Sequence, residues 1–255
     1  DFSTEEIIYT EKVKNKITCM IQFNTMRNLK YQNNFNKDLN NSMILVTGDA
    51  GSKINMWKIQ FVTITVDSGV YNENKLYKLK EIKLLNTFDF HSNYISEIKK
   101  LKNIQEFDSK FTIATASADQ TINIIDLDKG NLLMTLKGHV DRIYYLEPIY
   151  LTCFWEENKE NKFQMSCLIS GGKDKMLKIW NLKTGKCFRT FNDHNEKIKC
   201  IMNFNEFYMK LKNEKNDLKI NGDGYHKANA NAFMENVDFY SCDSSGVVKV
   251  WGKKI

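Results

Sequence analysis

Much that a 255-residue chain often carries is missing from this one. No apolar run approaches the roughly 20 residues a membrane span needs, and the opening DFSTEEIIYT lacks the charged-then-apolar pattern of a secretion signal. The six cysteines (Cys19, Cys153, Cys167, Cys187, Cys200, Cys242) include no CxxC pair. Most fall inside strand-like runs, where a free thiol acts as a small hydrophobe. A reduced, intracellular compartment, cytoplasmic or nuclear, is the expectation, with no membrane partner. Arginine is scarce: Arg27, Arg142 and Arg189 are the only three among 37 basic residues. Arg makes the commonest specific base contacts, so base readout is poorly served, and the net charge of +6 reads as a Lys-rich solvated surface. No window carries a convincing helical period. The chain starts at Asp1 rather than Met, as expected of one processed or cut from something longer.

Chemistry is equally hard to find. Residues 170–174 (SGGKD) resemble the end of a phosphate loop, but Asp174 follows the Lys and Cys167 stands where the upstream Gly is required. Residues 217–222 (DLKING) mimic the start of a calcium loop, yet Lys219 would repel the ion and Ala228 takes the bidentate Glu position. No GxSxG occurs. The sequon Asn40-Asn41-Ser42 would be idle in the cytosol. His91, His139 and His194 are spaced too far apart for a zinc site, which needs closely spaced ligand pairs, and His226 stands alone. No catalytic residue, metal or cofactor is expected.

What is present is repetition. Residues 48–57 (GDAGSKINMW), 116–125 (ASADQTINII), 171–180 (GGKDKMLKIW) and 242–251 (CDSSGVVKVW) align without a gap as strand, tight polar turn, strand. A second phrase, at residues 6–23, 84–101, 132–149 and 187–204, alternates with it. The runs are short, β-branched and bounded by Gly, Asp, Asn or Ser. Naming the strands a to d, the chain reads d, then abcd three times, then abc. Insertions fall at residues 24–42, 61–80, 148–165 and 205–236. These are three a-to-b loops and one c-to-d connection, which leave an antiparallel sheet at the same end, so all should emerge on one face. Residues 61–85 alternate apolar and polar on both sides of Asp67, Ser68 and Gly69, predicting a protruding hairpin. The stretch 205–236 is the least strand-like and is expected to be mobile.

These phrases resemble the WD40 repeat, and the similarity covers nearly the whole chain. It implies an all-β propeller with four blades, at about 12–88, 91–136, 139–191 and 194–255, with residues 5–10 as a strand completing a neighbouring or last blade. Four blades could close on themselves. The usual seven-bladed ring implies instead that the rest lies in sequence not present here or in a partner.

The resemblance further implies a hydrogen-bonded tetrad of His139, Ser170, Asp174 and Trp180 behind the pair Gly138-His139. Partial versions should exist at His91, Thr115 and Asp119, where Ile125 replaces the Trp, and at His194, Ser241 and Trp251, where Ser245 replaces the Asp. Trp57 is expected to stand alone, with Val13 for the His and Gly51 for the Asp. The family's usual work implies a scaffold binding other protein chains or peptides, with Asp141, Arg142, Lys173, Lys175 and Glu196 as candidate contacts. The alternative is a subunit of an RNA-containing assembly, touching phosphate through Lys.

Overall fold

The computed structural model describes residues 13–24, 42–66, 74–101, 107, 109, 111–155, 158–203 and 237–252. Among them lie fifteen strands in four antiparallel sheets and no helix. The first sheet holds β1 (Ile17–Asn24), β2 (Ser42–Asp49), β3 (Ile54–Val66) and β4 (Asn74–Phe88), in that spatial order. The second holds β5 (Ile95–Lys100), β6 (Thr112–Ser117), β7 (Thr121–Asp126) and β8 (Asn131–Lys137). The third holds β9 (Ile143–Trp155), β10 (Asn158–Gly172), β11 (Leu177–Asn181) and β12 (Cys187–Phe191). The fourth has three described strands, β13 (Ile198–Asn203), β14 (Val237–Asp243) and β15 (Val248–Gly252). Residues 5–10, expected to complete a neighbouring or last blade, lie outside the described residues.

The sheets stack face to face in chain order, with an apolar layer between each pair. Phe23, Ile44, Val46, Ile54 and Met56 of the first sheet meet Ile98, Ile113, Ile125 and Leu127 of the second or its margins. Ala114, Ile122 and Ile124 then meet Ile143, Leu146, Leu168 and Trp180 of the third. Ile169, Leu177 and Ile179 meet Ile198, Ile201 and Phe239 of the fourth. A strand packed on both faces loses the in–out alternation and reads as a continuous apolar run, which is why β6 is buried at all six positions. The d strands run along the outer edge instead. In β4, Lys78, Lys80 and Lys83 mark that exposed rim, and Lys discourages edge-to-edge pairing.

The b-to-c turns are one device used four times. Ser52, Gln120, Lys175 and Gly246 occupy the same place in the repeat, and all have positive φ (70°, 73°, 67° and 89°). Only the last is glycine, so three turns hold an L-residue in the left-handed region, at an energetic cost the surrounding hydrogen bonds must offset.

The expected first-sheet hairpin is present: β3 and β4 stay paired out to Val66↔Asn74. Residues 148–165 differ from the expected loop. Both β9 and β10 run through this segment, paired from Pro148↔Leu168 to Trp155↔Asn158, so a second hairpin projects from the same end as the first. Residues 25–41 and 204–236 lie outside the described residues.

Candidate functional site

The third sheet joins its four marked side chains in one chain of hydrogen bonds. His139 Nδ1 lies 2.6 Å from Asp174 Oδ2 and Nε2 lies 2.7 Å from Ser170 Oγ, while Trp180 Nε1 donates to the same Oγ at 2.8 Å. Ser170 has one proton, so accepting from the indole leaves its O–H to donate to Nε2. That assigns the imidazole proton to Nδ1, facing the carboxylate. Burial alone would push the Asp174 carboxyl up, but His139 and the amides of Met176 and Val140 outweigh it and hold it below the ordinary value. Gly138 belongs to this arrangement for a steric reason. A Cβ there would sit 3.2 Å from Trp180 Cη2, and its φ of +152° disfavours an L-residue.

In the second sheet His91 reaches Asp119 Oδ2 at 2.8 Å and Thr115 Oγ1 at 2.9 Å. Ile125, fully buried, stands where the indole would be. Asn123 lies beside it: its amide donates to Phe90 O at 2.7 Å and its Oδ1 accepts from Thr135 at 2.7 Å.

The fourth sheet contains an Asp that the sequence register misses. His194 Nδ1 lies 2.8 Å from Asp243 Oδ2 and Nε2 lies 2.7 Å from Ser241 Oγ, to which Trp251 Nε1 donates at 2.7 Å. Ser245, expected to replace the Asp, instead donates to Asp243 Oδ1 through both its hydroxyl (2.6 Å) and its amide (3.0 Å). The Ser245 hydroxyl, with His194 and the Val247 amide, holds the Asp243 carboxyl far below its ordinary range against the opposing effect of burial.

Trp57 is likewise not alone: its Nε1 donates to Thr47 Oγ1 at 3.0 Å. Asp49 anchors that turn through the amides of Gly51 and Lys53, and its other oxygen accepts from Asn15 and Asn55. The missed signal is local. Thr47-Gly48-Asp49 and Ser241-Cys242-Asp243 share a spacing of two from hydroxyl to carboxylate, whereas Thr115 to Asp119 and Ser170 to Asp174 share four.

The five candidate contact residues meet around the turns flanking β9 and β11. Lys173 Nζ lies 3.2 Å from Asp141 Oδ2, Lys175 Nζ lies 3.7 Å from Glu196 Oε1, and the Arg142 guanidinium sits 5.8 Å from the Tyr94 ring centroid. Beside them the a strands begin. Lys16, Tyr94, Glu97, Tyr144, Tyr145 and Lys199 line a concavity of about 590 Å³, each at or next to the start of its strand, so it opens at the turn end. Burial pushes the Glu97 carboxyl up, and it also pushes the neighbouring Cys19 thiol up to about 12, which makes that sulfur a poor nucleophile. Sequence reading passed over this aromatic lining because each residue is unremarkable within its own strand. Among the described residues no group of His, Cys, Asp and Glu could hold a metal, and no helix is long and apolar enough to cross a membrane.

Residues 130–181 match the family model for the WD domain, G-beta repeat. The chain is 28% identical over 152 residues to cell division control protein 4 of Candida albicans, covering 59% of this chain and 19% of that protein. It is 28% identical over 171 residues to the CCR4-associated factor 4 homolog of Vanderwaltozyma polyspora, covering 61% and 23%. The chain therefore spans about a fifth of the length of these relatives. The WD40 β-propeller domain of Doa1 overlays with a TM-score of 0.45 at 18% identity, covering 82% of this chain and 47% of that one. The matched segment runs from β8 through β11, joining the last strand of one sheet to the first three of the next. Residues 130–181 are thus a WD40 repeat, set within a four-sheet propeller fold whose other sheets follow the same plan.

Proposed function

We propose that this chain is a non-enzymatic intracellular scaffold, cytoplasmic or nuclear, that holds other protein chains within a multi-subunit complex. One observation carries the reading. The repeat's histidines, hydroxyls and carboxylates are turned inward on one another, while the turn end presents a concavity lined by Tyr94, Tyr144, Tyr145, Glu97, Lys16 and Lys199, with Arg142 over the Tyr94 ring and the Lys173–Asp141 and Lys175–Glu196 pairs on turns of the same end. Groups bonded to one another in the interior hold turns in place. Paired charges and tyrosines at an exposed concave end suit an extended peptide. The relatives named above, a cell-division control protein and a factor associated with another protein, are consistent with this class of work.

The RNA reading gains no specific observation. Rim lysines that neutralise neighbouring carboxylates offer no unbroken positive track to a phosphate backbone.

The test is affinity purification of the tagged chain from its source cells, wild type against the triple variant Arg142→Ala, Lys173→Ala, Glu196→Ala. Partner proteins should be lost from the variant while its thermal unfolding is unchanged, and nuclease treatment should leave the wild-type complex intact. Loss of partners on nuclease treatment, or an identical partner set with the variant, would overturn the proposal.

A further inference from the structure

The fourth sheet differs from the other three at one pair of facing positions. In each sheet a residue of the a strand stands opposite a residue of the b strand beside the same register shift. The pairs are Cys19 with Gly48, Glu97 with Ala116, Tyr145 with Gly171, and Cys200 with Cys242. The b-strand residue is glycine or alanine in the first three sheets and carries a thiol only in the fourth. Directly opposed residues of an antiparallel pair put their side chains on one face, with Cα atoms about 4.5 or 5.5 Å apart. Both values lie inside the roughly 4.4 to 6.8 Å that a disulfide spans.

The two thiols meet. Cys200 and Cys242 are hydrogen-bonded to each other, and both are free and half-buried. The first sheet shows the reach of this position independently. Cys19 Sγ, the counterpart of Cys200, lies 2.8 Å from where a Cβ on Gly48 would be, and Gly48 is the counterpart of Cys242. Among the described cysteines no other faces a thiol across its strand pair: Cys19 faces Gly48, Cys167 faces Ile149 and Asn181, and Cys187 faces Trp180. The pair also adjoins the concavity at the turn end. Lys199, next to Cys200, lines it, and so does Tyr145, whose hydroxyl is pushed up by burial and then by the charges of Cys200, Glu97 and Cys242. A small solute in that concavity comes within reach of Cys200.

We propose that Cys200 and Cys242 are an oxidisable pair, which hydrogen peroxide joins into a disulfide across β13 and β14. One sulfur, as thiolate, attacks the peroxide, breaking the O–O bond to give a sulfenic acid and, after protonation, one water. The other sulfur then attacks the sulfenic sulfur: the S–S bond forms, the S–O bond breaks, and the departing hydroxide takes the second thiol's proton as water. Two thiols and one peroxide thus give one disulfide and two waters, with two electrons passing from sulfur to oxygen. Burial and the Cys242 thiol push the Cys200 thiol up, which slows attack on the peroxide, while contact between the sulfurs speeds the closing step. In a reducing compartment the pair rests as thiols and closes only when peroxide rises. The bond closes residues 201–241 into a covalent loop, which constrains the unfolded chain and stabilises the folded one.

The test treats the folded, fully reduced 255-residue chain with hydrogen peroxide, blocks the remaining thiols with N-ethylmaleimide and maps the unreduced digest by mass spectrometry. A peptide cross-linked between Cys200 and Cys242 should appear, two hydrogens lighter than the sum of its parts, while Cys19 and Cys167 carry maleimide. The oxidised chain should unfold about 5 °C higher than the reduced one, and dithiothreitol should reverse both changes. The variant Cys242→Ala takes the residue that the second sheet has at this place. In it no internal cross-link should form, and peroxide should leave the unfolding temperature unchanged. The wild-type map decides even without the variant. Maleimide on both Cys200 and Cys242 after peroxide, a cross-link to another cysteine, sulfinic acid in place of the disulfide, or a peroxide-induced rise that persists in Cys242→Ala would each overturn the proposal.

Discussion

The second and third sheets hold the same His–carboxylate–hydroxyl arrangement, yet one is closed by an indole and the other by an isoleucine. In the third, Trp180 supplies both the apolar mass between sheets and the N–H that satisfies Ser170. In the second, Ile125 takes over the packing but offers no donor, and Thr115 Oγ1 is left with His91 Nε2 at 2.9 Å and the Asn123 carbonyl at 3.3 Å. The two sheets thus share the His–carboxylate–hydroxyl chain and differ in whether an indole donor closes it. A buried polar group can be served by different atoms, but leaving it unserved costs about 1 to 3 kcal/mol.

The contrast predicts its own failures. Trp180→Ala removes packing and the donor together and should cost about 3 to 5 kcal/mol in denaturant unfolding. Trp57→Ala, at a half-buried site, should cost clearly less, and equal losses would erase the distinction between interior and end sheets. Asp174→Asn leaves the shape but weakens the bond from His139, for an expected loss of about 1 to 3 kcal/mol at neutral pH.

The same variant bears on acid stability. Asp119 and Asp174 are both held below the ordinary 3.8 in the folded chain, so on acidification the unfolded chain takes up their protons first. Their stabilisation is full above about pH 4 and is lost as pH falls through the lowered folded values. Thermal unfolding followed from pH 5 to pH 2 should therefore slope less steeply in Asp174→Asn. Ile125→Trp asks whether the second sheet can be converted into the third. The site is already filled, so overpacking should destabilise by about 1 to 3 kcal/mol; a gain would show that a cavity for the indole is present.

Smallest is the fourth-sheet comparison. Ser245→Ala removes one donor to Asp243 and leaves the His194 bond standing, so it should perturb unfolding less than Asp243→Ala. The reverse order would restore residue 245 to the role the repeat register gave it.

The sheets were legible because a strand buried on both faces needs a continuous β-branched run and a tight turn needs Asp, Gly or Ser, whatever its neighbours are. His139, Ser170, Asp174 and Trp180 were legible for the same reason, being held at one spacing by one turn. Asp243 and Asp49 were not, because a carboxylate two residues from its hydroxyl can reach the same imidazole or turn amides as one four residues away. That equivalence exists only once the strands are paired.

The hairpin of β9 and β10 was read as an insertion, since pairing between its arms is a long-range choice that alternation alone leaves open. The sequence alone determined the order of strands, the turns and the repeat, all set by contacts a few residues apart. The tertiary structure decided which buried atoms satisfy one another, that Tyr94, Tyr144 and Tyr145 share one concavity, and that Cys200 and Cys242 face each other across one sheet. Each of those depends on which strands and sheets pack together, and residues tens of positions apart settle it only when the chain has folded.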